Sequence, residues 1–327
     1  MSSGPISAET IHSIVEPHAG ALLLSMAFSS ILFGVTLLQT YTYYDRYSDD
    51  PKYLKSFVFL LFVLDLIHMV SVIDSLWFDL VPNYGNIAVF STVPIGLALE
   101  TGTTVSIGAL VQCFFALRVW LLSRRNPLLP ILIVALSLAY FSVGIYYTAA
   151  TRLRPTHAAV LKIQWSALTT LSLGLAADII ITLSLVYYLL KSRSGLTRTD
   201  KLIDVLIVYT VNSGLLTTVA AICTLVLDRV LKNTLWDVIP YFLISKCYVN
   251  SVLATLNARE KLRNMPSGVT SISGQLGQLE LGQMRDGSST MVVQRRDHHA
   301  ASEIRFAHNT TTTTDSKALE SVLGPDV

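Results

Sequence analysis

Seven long apolar runs constrain this chain more than any other feature. They cover residues 20–42, 56–78, 99–121, 128–148, 164–190, 204–227 and 235–256. A bilayer core about 30 Å thick needs roughly 20 apolar residues in a helix, so each run can span. Backbone groups in lipid must bond within their own segment, which makes helix the sensible conformation. Barrel strands would be about ten residues of strict alternation, and these runs are longer and do not alternate. The expected fold is all-α, a polytopic membrane bundle of seven transmembrane helices. Composition agrees: 52% of residues are hydrophobic and 14% charged, against about 25% charged in soluble domains.

The third run sets the one difficulty in placing the spans. Residues 81–122 are too long for one helix and too short for two with a turn. Pro94 and Gly96 are read as breakers, so the span is placed after them, at 99–121. Residues 1–18 contain no Lys or Arg, so the first run is read as an uncleaved anchor rather than a signal peptide.

Orientation follows from the basic residues near the helix ends. Arg46, Lys52, Lys55, Arg118, Arg124, Arg125, Lys191, Arg193, Arg198, Lys201, Arg259, Lys261 and Arg263 all fall on one side. Arg152, Arg154, Lys162, Arg229 and Lys232 fall on the other. The split of 13 to 5 places the N-terminus outside and the C-terminus in the cytosol. Residues 1–19 are then an extracellular N-terminus, 20–263 the seven-helix domain, and 264–327 a cytosolic tail. The tail is rich in Ser, Thr, Gly and Gln. Such a stretch buries too little apolar surface to fold, and disorder is expected there. Its sequon at Asn309 would be idle in the cytosol. The His298–His299 pair is expected to be solvated. Cys113, Cys223 and Cys247 lie inside apolar runs without metal-type spacing, and no structural disulfide is expected.

Polar residues within the runs are the candidate functional set. An ion at mid-membrane costs roughly 2.5–3.5 kcal/mol even on insertion scales. Such groups therefore face the bundle interior and find partners. Asp65 and His68 are three apart and share a helix face. Thr104, Gly108 and Gln112 form a ladder at four-residue spacing, as do Thr170, Gly174, Asp178 and Thr182. Lys246, Asn250 and Asn257 share a stripe on the last helix. Asp65 and Lys246 are about equally deep from the cytosolic side, so Asp65 is the favoured partner of Lys246, with Asp178 second. A purely structural role, gluing helices together, is the competing account of the Asn and Thr positions. Arg118, Arg124, Arg125 and Arg259 are read as anchors at the cytosolic face.

Three stretches carry a family resemblance: VQCFFALRVWLLS (Val111–Ser123), AADIIITLSLVYYLLKSRSGLTRTDKLIDVLIVYTVNSGLL (Ala176–Leu216) and KCYVNSVLATLNARE (Lys246–Glu260). They resemble a large family of integral membrane proteins from mushroom-forming, basidiomycete fungi, known mainly as a domain of unknown function. The resemblance implies a seven-helix membrane protein. It implies no established activity and transfers no catalytic or ligand-binding residue.

Several function classes are excluded or demoted. No hydrolase elbow, zincin helix, P-loop or dinucleotide fingerprint occurs, so no enzyme activity is expected and no cofactor is called for. A net charge of +2 without a basic, aromatic-studded stripe argues against nucleic acid. A retinal Schiff base at Lys246 would want an acid four residues earlier, where Phe242 stands. The favoured expectation is a receptor-like or signalling protein. Its partners would be the bilayer, a small-molecule ligand, and cytosolic signalling proteins meeting the loops and tail. A small-solute transporter or channel is the alternative, although no internal repeat supports it.

Overall fold

The computed structural model describes residues 11–193, 197–231 and 234–263. The tail and the first ten residues lie outside them, and so do the expectations placed there. Seven long helices form the bundle: α1 (Ala21–Arg46), α2 (Lys52–Leu80), α3 (Ile95–Leu122), α4 (Leu128–Leu153), α5 (Gln164–Lys191), α6 (Thr197–Val230) and α7 (Val238–Arg263). A π-helical segment, Ile11–Gly20, leads into α1. A 3₁₀ turn, Ile87–Ser91, and a short helix, His157–Lys162, cover one end of the bundle. The described residues form no β-sheet; a lone bridge joins Thr92 to Thr156. Beside it, the Val93 amide donates to the Pro155 carbonyl at 2.7 Å.

All seven helices are long and apolar enough to cross a membrane. The chain is a polytopic integral membrane protein. Its outer surface carries the residues lipid requires, among them Leu38, Phe59, Trp77, Ile131, Leu183 and Val208. Neighbours in sequence pack side by side, and α7 closes the ring against α1. The helix α3 runs through the middle and touches α2, α4, α5 and α7. Its Val111, Phe115 and Val119 meet Ile181 of α5 and Val249 and Val252 of α7 in the main core.

The third span begins earlier than its sequence suggests. Pro94 does not interrupt it but precedes its first residue, in extended conformation (ψ 157°), where a missing amide proton costs nothing. Gly96 lies inside the first turn. A Cβ there would overlap the Ser71 carbonyl and the Ser75 hydroxyl of α2, so this glycine marks a close helix crossing, not a break. The last span shifts the other way. It starts at Val238 instead of 235 and runs to Arg263, which leaves Asp237 just outside it. The sixth helix is longer than its apolar run, because polar residues from Thr197 onward extend it beyond the hydrophobic window.

The glycine steps of the two ladders have a common purpose. Gly108 of α3 and Gly174 of α5 both face the ring of Tyr140 from α4. A Cβ at Gly108 would sit 2.6 Å from the Tyr140 hydroxyl. Two missing side chains thus make room for one buried aromatic ring among three helices.

Candidate functional site: a cavity above a buried polar core

The interior polar groups sort into four clusters along the bundle. At mid-depth, Lys246 Nζ donates to Asp65 Oδ1 at 2.6 Å and to the Asp65 carbonyl at 3.2 Å. Both side chains are 0% exposed. The ammonium also lies 5.2 Å from the centre of the Phe33 ring, a distance at which the ring face attracts a cation. Of the two acids weighed for Lys246, it meets Asp65. Asp178 belongs to a separate cluster: it accepts from Gln112 Nε2 at 3.0 Å and from the Tyr248 hydroxyl at 2.8 Å. Gln112 reaches the Gly174 carbonyl as well, at 3.3 Å. That network ties α3, α5 and α7 together.

His68 turns away from this pair despite sharing a helix face with Asp65. Its Nε2 lies 3.1 Å from Glu100 Oε1, off the line of a hydrogen bond, and both side chains are buried. The ring packs edge-on against Phe242. Glu100 accepts from Thr104 at 2.8 Å and from Thr101 at 3.2 Å. Sequence reasoning missed Glu100, because a span starting at residue 99 leaves it at the membrane surface. With α3 starting at Ile95, it sits more than a turn deep. The available signal was the Glu100, Thr101, Thr104 pattern, in which two hydroxyls flank one carboxylate on a helix.

The stripe on α7 binds α1 through its backbone. Asn250 Nδ2 donates to the Leu32 carbonyl at 3.3 Å and to Thr36 Oγ1 at 3.1 Å. Asn257 Nδ2 donates to the Gln39 carbonyl at 2.9 Å. One turn or less beyond, Arg259 Nη2 meets Asp50 Oδ2 at 2.5 Å and its guanidinium covers the Tyr47 ring at 4.6 Å. The Tyr43 hydroxyl donates to the same carboxylate at 2.9 Å. Arg118 is half-buried on α3 close to this end. Arg124 and Arg125 are exposed and hold left-handed backbone, φ 57° and 67°, in the turn between α3 and α4.

Asp50 lies outside the spans and its carboxyl titrates below the usual carboxylate range. Burial pushes it up, but the hydrogen bonds from Arg259 and Tyr43 and the charges of Arg259 and Lys55 outweigh that. A folded pKa below the unfolded one, about 3.9, gives stability that is complete above the unfolded value and is lost as pH falls through the folded value. Asp50→Asn should therefore melt earlier than the parent at neutral pH, with the difference shrinking toward about pH 3. Melting curves of both proteins across that range check this; a gap that persists or widens in acid would remove the ion pair as its cause.

The opposite end holds a cavity of about 630 Å³, within the 300–1,000 Å³ usual for small-molecule sites. Apolar residues of α3 and α5, such as Leu97, Val105, Leu168 and Leu171, form much of its wall. Glu100 lines it too, and Asp228 and Asp237 add two further carboxylates. Asp228 Oδ1 accepts from Gln164 at 2.8 Å, whereas its buried Oδ2 has no hydrogen-bond partner among the described residues. The Asp237 carboxyl is pushed up to about 6 by burial and by the Asp228 charge. Burial and the neighbouring His18 hold the His157 imidazole below its ordinary pKa, which favours its neutral form. His18, Phe90 and His157 form an aromatic group at this end, with ring centres 5.6 and 6.1 Å apart.

The segment from Gly174 in α5 to Lys261 in α7 carries Asp178, Lys246, Tyr248, Asn250, Asn257 and Arg259. Residues 174–261 match DUF6534, a family of unknown function. No curated protein and no solved structure matches the chain. The DUF6534 segment is not self-contained: Lys246 is paired with Asp65, Asp178 with Gln112, and Arg259 with Asp50, all from residues before it.

Proposed function

We propose that the chain is a receptor-like seven-helix protein of the plasma membrane or another endomembrane, with its N-terminus and cavity outside and its C-terminus in the cytosol. The resemblance to a family from mushroom-forming fungi is part of this reading, and no catalytic role is assigned. The observation that carries it is the cavity, which lies at the end opposite the basic loops, where an external small molecule would enter. Its Glu100 touches His68, the first of the buried polar groups that continue to Arg259 at the other end. Cytosolic signalling proteins would meet the basic loops and the tail. A transporter is the second reading, favoured by ionisable groups buried at mid-membrane, which commonly line solute paths.

Two measurements on the full chain test the proposal. An epitope after Val327 should be reachable only in permeabilised cells, and one at Ser2 in intact cells; the reverse pattern would put the cavity inside. A small molecule that stabilises the purified protein should show no accumulation in liposomes carrying it. Protein-dependent uptake would replace the receptor with a transporter.

A further inference from the structure

Charge is unevenly distributed around the cavity. Glu100, Asp228 and Asp237 line it from α3, α6 and the segment before α7. Among the described lining residues the one Lys or Arg is Arg229, whose side chain is 60% exposed and whose Nε lies 3.8 Å from Asp228 Oδ2. Among the described residues, His18, His157 and the phenols of Tyr147 and Tyr241 also face the space. The aromatic side chains of Tyr147, Tyr241 and Phe242 line the same space. Three carboxylates in a low-dielectric recess attract a positive ligand strongly, and aromatic faces add to that attraction without requiring directed hydrogen bonds. The apolar wall of α3 and α5 suits a hydrocarbon body. Asp228 Oδ2 makes no hydrogen bond among the described residues; it faces Arg229 Nε at 3.8 Å and keeps acceptor capacity for a ligand's donor.

We propose that the cavity binds an amphipathic organic cation, its ammonium among Glu100, Asp228 and Asp237 and its apolar part against Leu168 and Leu171. This rests on the reading of the cavity as a ligand site and names the class of ligand. The aromatic rings surround the charged head, and a ligand with an anionic head is repelled by the same carboxylates.

The test uses the full chain in nanodiscs of uncharged phosphatidylcholine. Three probes share one body: 4-phenylbutyltrimethylammonium, its hydrocarbon isostere with carbon in place of nitrogen, and 4-phenylbutanesulfonate. The cation should raise the melting temperature and bind at least about tenfold more tightly than the isostere, a difference of about 1.4 kcal/mol. The sulfonate should bind least. Asp237→Asn, at a half-buried position, should cut the preference for the cation severalfold while leaving the fold intact. Glu100→Gln should cut it further, and because it disturbs His68 it is interpreted only alongside the Asp237 variant. Ala167→Trp, which places an indole inside the cavity, should abolish binding of every probe. If the isostere binds as well as the cation and Ala167→Trp abolishes both, the cation assignment is wrong and the ligand site stands. If no probe stabilises the protein at millimolar concentration, both fall.

Discussion

Replacing Lys246 by Met, or Asp65 by Leu, should destabilise the bundle by about 3–5 kcal/mol, and combining the two should restore much of the loss. The pair is fully buried at 2.6 Å, so removing either member strands the other charge away from water. The two single variants are not equivalent. After Asp65→Leu, Lys246 keeps the residue-65 carbonyl and the Phe33 ring. After Lys246→Met, Asp65 keeps no hydrogen-bonding partner, since its Oδ2 already has none among the described residues, and its charge is left stranded inside the bundle. The double variant replaces the pair with two apolar side chains, which is often close to neutral. A double-mutant cycle in detergent, followed by thermal melting, gives the coupling directly. Losses that simply add would show that the two residues act independently. Asp178→Leu is the control: its carboxylate is bonded to Gln112 and Tyr248, so its loss should add to that of Lys246→Met.

A second large effect is expected from one methyl group. Gly96→Ala places a carbon where the Ser71 backbone carbonyl and the Ser75 hydroxyl already stand. A backbone carbonyl cannot rotate aside, so α2 and α3 must separate, and overpacking of this kind costs about 1–3 kcal/mol or more. The separation would also move His68 on α2 from Glu100 on α3. Gly34→Ala provides the contrast. A Cβ there meets nothing within 4 Å, and Ala is favoured over Gly in a helix by about 1 kcal/mol. Melting of the two variants side by side should move in opposite directions. Equal shifts would mean that the crossing at Gly96 is looser than described.

Much of the bundle could be read from hydropathy, because lipid imposes one solution on each apolar run. The depth of Lys246 and Asp65 was legible for the same reason: charges in lipid must be level to meet, and counting from the helix ends gives the level. Other features were not legible, and each has a physical cause. Pro94 and Gly96 have the same signature whether they break a helix or begin one, and that ambiguity hid Glu100 with its two threonines. Asp65 and His68 share a face by spacing, yet a face on α2 borders two helices, so one side chain meets α7 and the other α3. Tyr140 and Tyr248 follow ordinary helical spacing and look like lipid-facing or core aromatics. Only the packing shows one wedged between two glycines and the other bonded to Asp178. The cavity is the extreme case. It is formed by residues from several helices and the segments between them, and no local pattern announces a space.

The closure of the ring by α7 has a consequence for how the molecule is made. Its span has the lowest mean hydropathy of the seven, 1.2 against 2.4 for α2 and α4, and it is the last to leave the ribosome. Until it arrives, Asp65 lacks its counter-ion, Asp178 lacks the Tyr248 hydroxyl, and the Leu32 and Gln39 carbonyls of α1 lack the Asn250 and Asn257 donors. The nascent chain therefore carries a set of open polar positions that only its final helix can fill. The polar bonds of the bundle are complete only once α7 has joined it, and a chain cut short before α7 is left with the buried carboxylates by which an incomplete membrane protein differs from a finished one.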